Sequence, residues 1–186
     1  MKQADGKVKQ DRILTAIVGS YPKPSYIYSK GGRELINSMG FGLDEIKRQV
    51  GPVKFRQRLD KAAGMAIKDQ NLAGVDLETD GEERRGHYVL YILRELEGFD
   101  FKNLKKIFIR GNKLFPLLVP RTAGKIKYAG PILIGDYRFT RNQVKNVAKI
   151  GLPGPSTVVD TVATDYYKDD LEQMAYDYAA AIRREV

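Results

Sequence analysis

Three apolar runs, each breaking into a glycine-bearing polar loop, constrain this chain more than any other feature. Ile13 to Val18 breaks into Gly19-Ser20-Tyr21-Pro22. Val75-Asp76-Leu77 leads into Thr79-Asp80-Gly81-Glu82-Glu83-Arg84-Arg85. Val147 to Gly151 leads into Leu152-Pro153-Gly154-Pro155-Ser156-Thr157. A strand that opens at its C-terminal end into such a loop, with helical sequence beyond, predicts a parallel α/β arrangement. In parallel barrels the chemistry sits on those C-terminal loops.

A length of 186 residues allows a substantial core but is short for a complete eight-fold barrel, which needs roughly 250 residues. No apolar stretch approaches the roughly 18 residues that span a bilayer. Met1 to Arg12 is polar, with no apolar segment to act as a secretory signal. With no cysteine, disulfides and thiolate metal ligands are excluded within the chain, which fits a cytoplasmic setting. The net charge of +9 raises the question of nucleic acid. Positive charge concentrates in residues 1–68 and 101–150, away from two of the three loops. Lys105-Lys106 and Lys125/Lys127 read as solvated hairpin faces, and no nucleic-acid-binding motif accompanies them.

Residues 13–20 read as a buried strand, and residues 21–42, with two prolines and several glycines, as a long irregular loop. Phe55, Leu59, Ala62, Ala63, Ala66 and Ile67 form one helical stripe, and Gly74 suits the helix C-terminus. Residues 75–79 read as a short strand and 86–97 as a second helix ending at Gly98. Short apolar runs over 104–139 predict a β-hairpin excursion, followed by a short helix at 140–146 and a strand at 147–152. Leu171, Ala175, Tyr178, Ala179, Ile182 and Val186 predict an amphipathic C-terminal helix, favoured at its start by Asp169 and Asp170. The pattern stops at Val186 still in phase and without a stop signal, which reads as a truncation.

The first loop offers Gly19 for a sharp turn, and a hydroxyl and N–H at Ser20 for an anion; an ordinary strand-to-loop turn would use the same residues. The second places five carboxylates, Asp76, Glu78, Asp80, Glu82 and Glu83, within eight residues. Strand alternation sends Asp76, Glu78 and Asp80 to one face. Such a cluster can bind an ammonium, accept a proton or orient a metal ligand, or it can form structural ion pairs with Arg84 and Arg85. In the third loop, Pro153-Gly154-Pro155 stiffens the turn, and Ser156 or Thr157 can cap the segment beyond it. His87, the single histidine, suits a helix start better than a metal site.

Taken in order, these loops resemble the catalytic barrel of the cobalamin-independent methionine synthase family, in its single-barrel archaeal and bacterial form. The resemblance implies an α/β fold, the first three to four βα units of a (β/α)8 TIM-type barrel with the hairpin as an excursion, across residues 1–186. It also implies methyl transfer to the thiol of homocysteine through a zinc-bound thiolate. On that comparison, Ile17, Val18, Gly19 and Ser20 hold the substrate, Glu82 contacts its amino group, and Asp80, Ser156 and Thr157 support the site. No catalytic residue or metal ligand is assigned here, because the family's zinc ligands lie on later strands without a counterpart. The implied partners are homocysteine, a methyl donor and the missing C-terminal half or a partner subunit. Gly86-His87-Tyr88 stands where the family commonly has an Asn-Asp-Met type of sequence, which leaves the donor open between a methyl-folate and a methyl-corrinoid protein. The chain alone is expected to be inactive. The alternatives are another thiol alkyltransferase on the same barrel, such as one acting on coenzyme M, and a non-catalytic half-barrel subunit.

Overall fold

The computed structural model describes residues 13–27, 41–108 and 116–186. They form α/β structure in two compact units, one built from residues 13–27, 47–84 and 133–151, the other from 41–46, 85–108, 116–132 and 152–186. A helix absent from the sequence expectation, α1 (Phe41–Val50), spans the division. Leu43 and Ile46, one turn apart, are its buried residues, and that signal is too short to stand out among the glycines before it.

In the first unit, α2 (Pro52–Ala73) follows Gly51, with Pro52 in the first turn, where a missing N–H costs nothing. Phe55, Leu59, Ala62, Ala63, Ala66 and Ile67 are all buried, as the stripe predicts. Gly74 ends the helix in the left-handed conformation, φ 72°, and its N–H returns to the Gln70 carbonyl. Beyond it lies β1 (Leu77–Glu78), paired in parallel with β4 (Val147–Ala148) in the register Leu77↔Val147 and Glu78↔Ala148. Ala16 joins Leu77 through a single parallel bridge, so the expected first strand contributes one rung rather than a full ladder. Asp76 explains this, because its Oδ2 accepts from both the N–H and the hydroxyl of Thr15 at 2.9 and 2.8 Å. Its carboxylate therefore fastens two chain segments through Oδ2. Gln70 does the same for helix and strand, exchanging two hydrogen bonds with the Thr79 peptide at 2.8 and 2.9 Å.

Helix α4 in this unit (Ile134–Arg141) lies earlier than the expected 140–146, and Ile132–Ile134 leads into it instead of forming a strand. Arg84 anchors it: Nη1 lies 3.2 Å from Asp136 and Nε 3.0 Å from Asp60, and the guanidinium sits 4.2 Å from the Phe139 ring centre. These ion pairs surround a nearly buried cation with opposite charge.

The second unit departs more from expectation. Helix α3 is short (Tyr88–Leu93), capped by His87, whose Nδ1 accepts from the Val89 and Leu90 N–H groups. The chain then turns into β2 (Leu96–Ile107), antiparallel to β3 (Leu117–Tyr128). The hairpin thus starts before residue 104 and ends before 139, replacing the end of the expected second helix. Gly98 is the reason: at φ 96° a Cβ there would lie 2.7 Å from the Lys125 carbonyl oxygen, so this glycine marks a bulge and not a helix end. The runs expected at Ile109 and Phe115 fall outside the described residues. Asp100 caps the irregular stretch after it, bonding Lys102 N, Asn103 and Arg121, which also meets Asp165 at 3.2 Å.

Helix α5 (Pro155–Val159) follows the third loop. Helix α6 (Leu171–Ile182) begins where the acidic pair predicts, with Asp170 as its cap, accepting the Gln173 N–H. Its buried face, however, is Met174, Asp177, Tyr178, Ala181 and Ile182, while Leu171 and Val186 are exposed. The stripe is rotated from its expected position because Asp177 is buried with partners: Tyr167 donates to it at 2.8 Å and Lys125 lies 3.3 Å away. Burial and this carboxylate push the Tyr167 phenol up to about 12.

Two measurements test these assignments. Gly98→Ala should destabilise the protein by about 2 kcal/mol or more, while Gly135→Ala, in α4 with open space around it, should stabilise by about 0.5–1 kcal/mol; urea unfolding compares them. The Asn103, Arg121 and Lys102 donors hold the Asp100 carboxyl well below its ordinary 3.8. That contribution is present above 3.8 and is lost as pH falls toward the lowered folded value. The stability gap between wild type and Asp100→Asn should therefore narrow between about pH 5 and about pH 3.

Candidate functional site

The site grows from the parallel rungs that bring Ala16, Leu77 and Val147 together, because the first two strand ends then deliver their loops to the same side. The first two loops meet at Glu82. The Ser20 hydroxyl donates to Glu82 Oε2 across 62 residues of sequence. The other oxygen, Oε1, covers the α-carbon of Gly19, where a Cβ would lie only 2.7 Å away. Gly151, at the end of the third expected strand, is the next nearest approach, with a Cβ position 3.3 Å from Oε1. Glycine at 19 and 151 is thus what leaves room for this carboxylate.

Glu82 itself has φ 57°, in the left-handed region, which costs a residue with a Cβ about 1–2 kcal/mol. The turn is held from within and without. Asp80 Oδ1 accepts the Glu82 N–H at 3.0 Å, an Asx-type turn. Tyr21 N donates to the Gly81 carbonyl at 2.8 Å. Lys23 Nζ donates to the Glu82 and Glu83 carbonyls, each at 3.1 Å, and lies 3.5 Å from Glu83 Oε2. Burial lowers the Lys23 ammonium from its ordinary value against the opposing pull of Glu83, and burial raises the Glu83 carboxyl against the pull of Lys23. Lys149 Nζ donates to the carbonyls of Ile17 and Val18 at 2.6 and 3.2 Å and so fixes the first loop from β4.

The acidic cluster therefore divides. Asp76 ties strands, Glu78 is buried and accepts the Asn146 N–H at 3.1 Å, Asp80 shapes the turn and Glu83 meets Lys23. Glu82 alone directs its carboxylate to the first loop. Ile17, Val18, Gly19, Ser20, Asp80 and Glu82 come together in the first unit. Ser156 and Thr157 lie in the second, within α5, where no side-chain cap is formed; Gly154 occupies the cap position instead. His87 is a helix cap. Sequence reasoning missed Lys23, Lys149 and Gln70. A lysine fixed between Pro22 and Pro24, and another inside the apolar Val147–Ile150 run, were the available signals. Among the described residues no group of three or more potential ligands is placed to hold a metal ion, and none of their helices is long and apolar enough to cross a membrane.

Polar groups gathered where parallel strands end are the arrangement of an α/β protein. The sequence profile described as "Cobalamin-independent synthase, Catalytic domain" matches residues 13–186, and the chain belongs to that family. It is 29% identical over 176 residues to methionine synthase of Sulfolobus acidocaldarius, covering 94% of this chain and 47% of that protein. Methionine synthase of Thermococcus kodakarensis is 26% identical over 174 residues, with 93% and 47% covered. The chain spans about half the length of the curated relatives it matches. Among solved structures, a B12-independent methionine synthase from Shewanella sp. W3-18-1, in complex with selenomethionine, superposes with a TM-score of 0.64 at 32% identity, covering 71% of this chain and 38% of that one. A putative vitamin-B12-independent methionine synthase from Listeria monocytogenes gives 0.62 at 22% identity, covering 93% and 48%, a likeness of fold.

Gly19→Ala tests the close approach. The flexible end of Glu82 can yield, so stability should change by less than about 1 kcal/mol, while the Ser20–Glu82 hydrogen bond is lost. A crystal structure of the variant would show it, and an unmoved carboxylate would contradict the packing described.

Proposed function

We propose that this chain supplies the amino-acid-binding part of a methyltransferase of the methionine-synthase kind, acting on homocysteine. In this reading it forms the first three to four βα units of a TIM-type barrel. One observation carries the proposal: Ser20 and Glu82 meet over Gly19, placing a carboxylate beside a turn of backbone and hydroxyl donors. An α-amino acid needs that pair of opposites, an anion for its ammonium and donors for its carboxylate. Glu82 binds the amino group. Ile17, Val18, Gly19 and Ser20 hold the carboxylate through the backbone and through the Ser20 hydroxyl, with Asp80 supporting Glu82. The single proton of that hydroxyl turns from Glu82 to the ligand once the ammonium takes its place on Glu82. The Shewanella relative, solved with an amino acid bound, supports the ligand class. Coenzyme M, which has no amino group, would leave Glu82 without a counter-charge, so the homocysteine reading is the better fit.

Zinc in this family activates the acceptor thiol. The described residues do not fit a zinc site, since they lack both thiolates and a ligand cluster, so the metal would be held by protein outside this chain. For the same reason the chain alone should bind substrate without transferring a methyl group. Its methyl donor would be a methyl-folate or a methyl-corrinoid protein, and its setting cytoplasmic.

Calorimetric titration with L-homocysteine tests the reading. Glu82→Gln should weaken binding about tenfold or more, the effect of losing a charge-assisted hydrogen bond. Unchanged affinity would remove Glu82 from the site, and no binding by wild type would favour a non-catalytic assembly subunit.

A further inference from the structure

The turn that carries Glu82 is fastened at three successive carbonyls, and every fastening comes from residues 21–23. Tyr21 N takes the Gly81 oxygen, and the single ammonium of Lys23 takes those of Glu82 and Glu83. An ammonium has three protons and no acceptor. Two point to these carbonyls and the third toward Glu83 Oε2, 3.5 Å away, so the cation is fully occupied inside the loop. The Lys23 side chain is 12% exposed and that of Glu83 1%, so the contact is made largely out of water. Glu82 meanwhile stands at φ 57°, a conformation it keeps only while its peptide groups are held on both sides. Asp80 holds the N–H side and Lys23 the carbonyl side. A change of this backbone angle would swing the carboxylate away from Gly19 and Ser20.

We infer that Lys23 is a positioning residue: by binding the Glu82 and Glu83 carbonyls it fixes the left-handed turn and so aims Glu82 at the primary ammonium group of the ligand. The inference rests on the amino-group role of Glu82 proposed above. A simple buried ion pair with Glu83 is the competing role, and the two separate cleanly. Glu83→Gln removes the pair but leaves the ammonium on both carbonyls. Lys23→Met removes the donors while keeping an apolar stem.

The test has two readouts on the full chain. The first is hydrogen exchange of the Glu82 amide by NMR, which needs no ligand. The second is the preference for L-homocysteine over 4-mercaptobutyrate, which has the same thiol and carboxylate but no amino group. Lys23→Met should speed Glu82 exchange and reduce the preference, each about tenfold, whereas Glu83→Gln should leave both near wild type. Lys23→Gln, retaining two uncharged donors, should fall between them, and it stands in if the methionine variant does not fold. Equal losses in the Lys23 and Glu83 variants, or unchanged exchange in Lys23→Met or Lys23→Gln, would overturn the positioning role. If wild type and Glu82→Gln show the same preference, the amino-group role of Glu82 fails and the aiming role of Lys23 fails with it. If Glu82→Gln loses the preference and the Lys23 variants keep it, Lys23 alone is overturned.

Discussion

Carboxylates crowded into one turn repel each other, and a turn with left-handed backbone at a glutamate is unfavourable before any repulsion is counted. The Lys23 ammonium meets both difficulties at once, with its charge beside Glu83 and its hydrogens on two carbonyls. The carbonyl side of the Glu82 turn depends on that contact. Gly81 sits at φ 64° with Tyr21 and Ala66 where a Cβ would be, and Glu82 reaches over Gly19 from the same turn. A rigid turn is also what distinguishes a recognition carboxylate from an ordinary solvated one, because the cost of orienting it is met in folding and not in binding.

The same residues show how much of this could be read in the sequence. The α2 stripe and the glycine ending it are legible, because helical periodicity and a left-handed cap are local properties. So is the role of Asp170, one residue before its helix. The α6 face escapes the pattern because periodicity counts Asp177 as polar and therefore outward, whereas Tyr167 and Lys125 make its burial possible from distant positions. Gly98 reads as a helix end because glycine punctuates helices and bulges alike; only the neighbouring strand, with the Lys125 carbonyl against its α-carbon, tells them apart. Of the five carboxylates, alternation groups Asp76, Glu78 and Asp80, yet all three serve the fold, and the residue that meets the first loop is Glu82, beyond the strand. That outcome depends on partners at Thr15, Asn146 and Ser20, roughly sixty to seventy residues away, which no local rule reaches.

The fastenings of the site and those of the sheet are the same set of contacts. Thr15 with Asp76, Tyr21 with Gly81, Ser20 with Glu82 and Lys149 with Ile17 join segments that the chain separates by 60 to 132 residues. Such contacts are made against a loop-closure cost, and the parallel rungs at Ala16, Leu77 and Val147 hold together the strand ends from which the first two loops leave. Substitutions in the rungs therefore act on binding through the fold. Substitutions at Lys23 act on the turn alone, since that residue fastens the second loop without entering the ladder. The division gives the site two separable supports: pairing, which brings Glu82 to Gly19, and the ammonium, which decides where its carboxylate points.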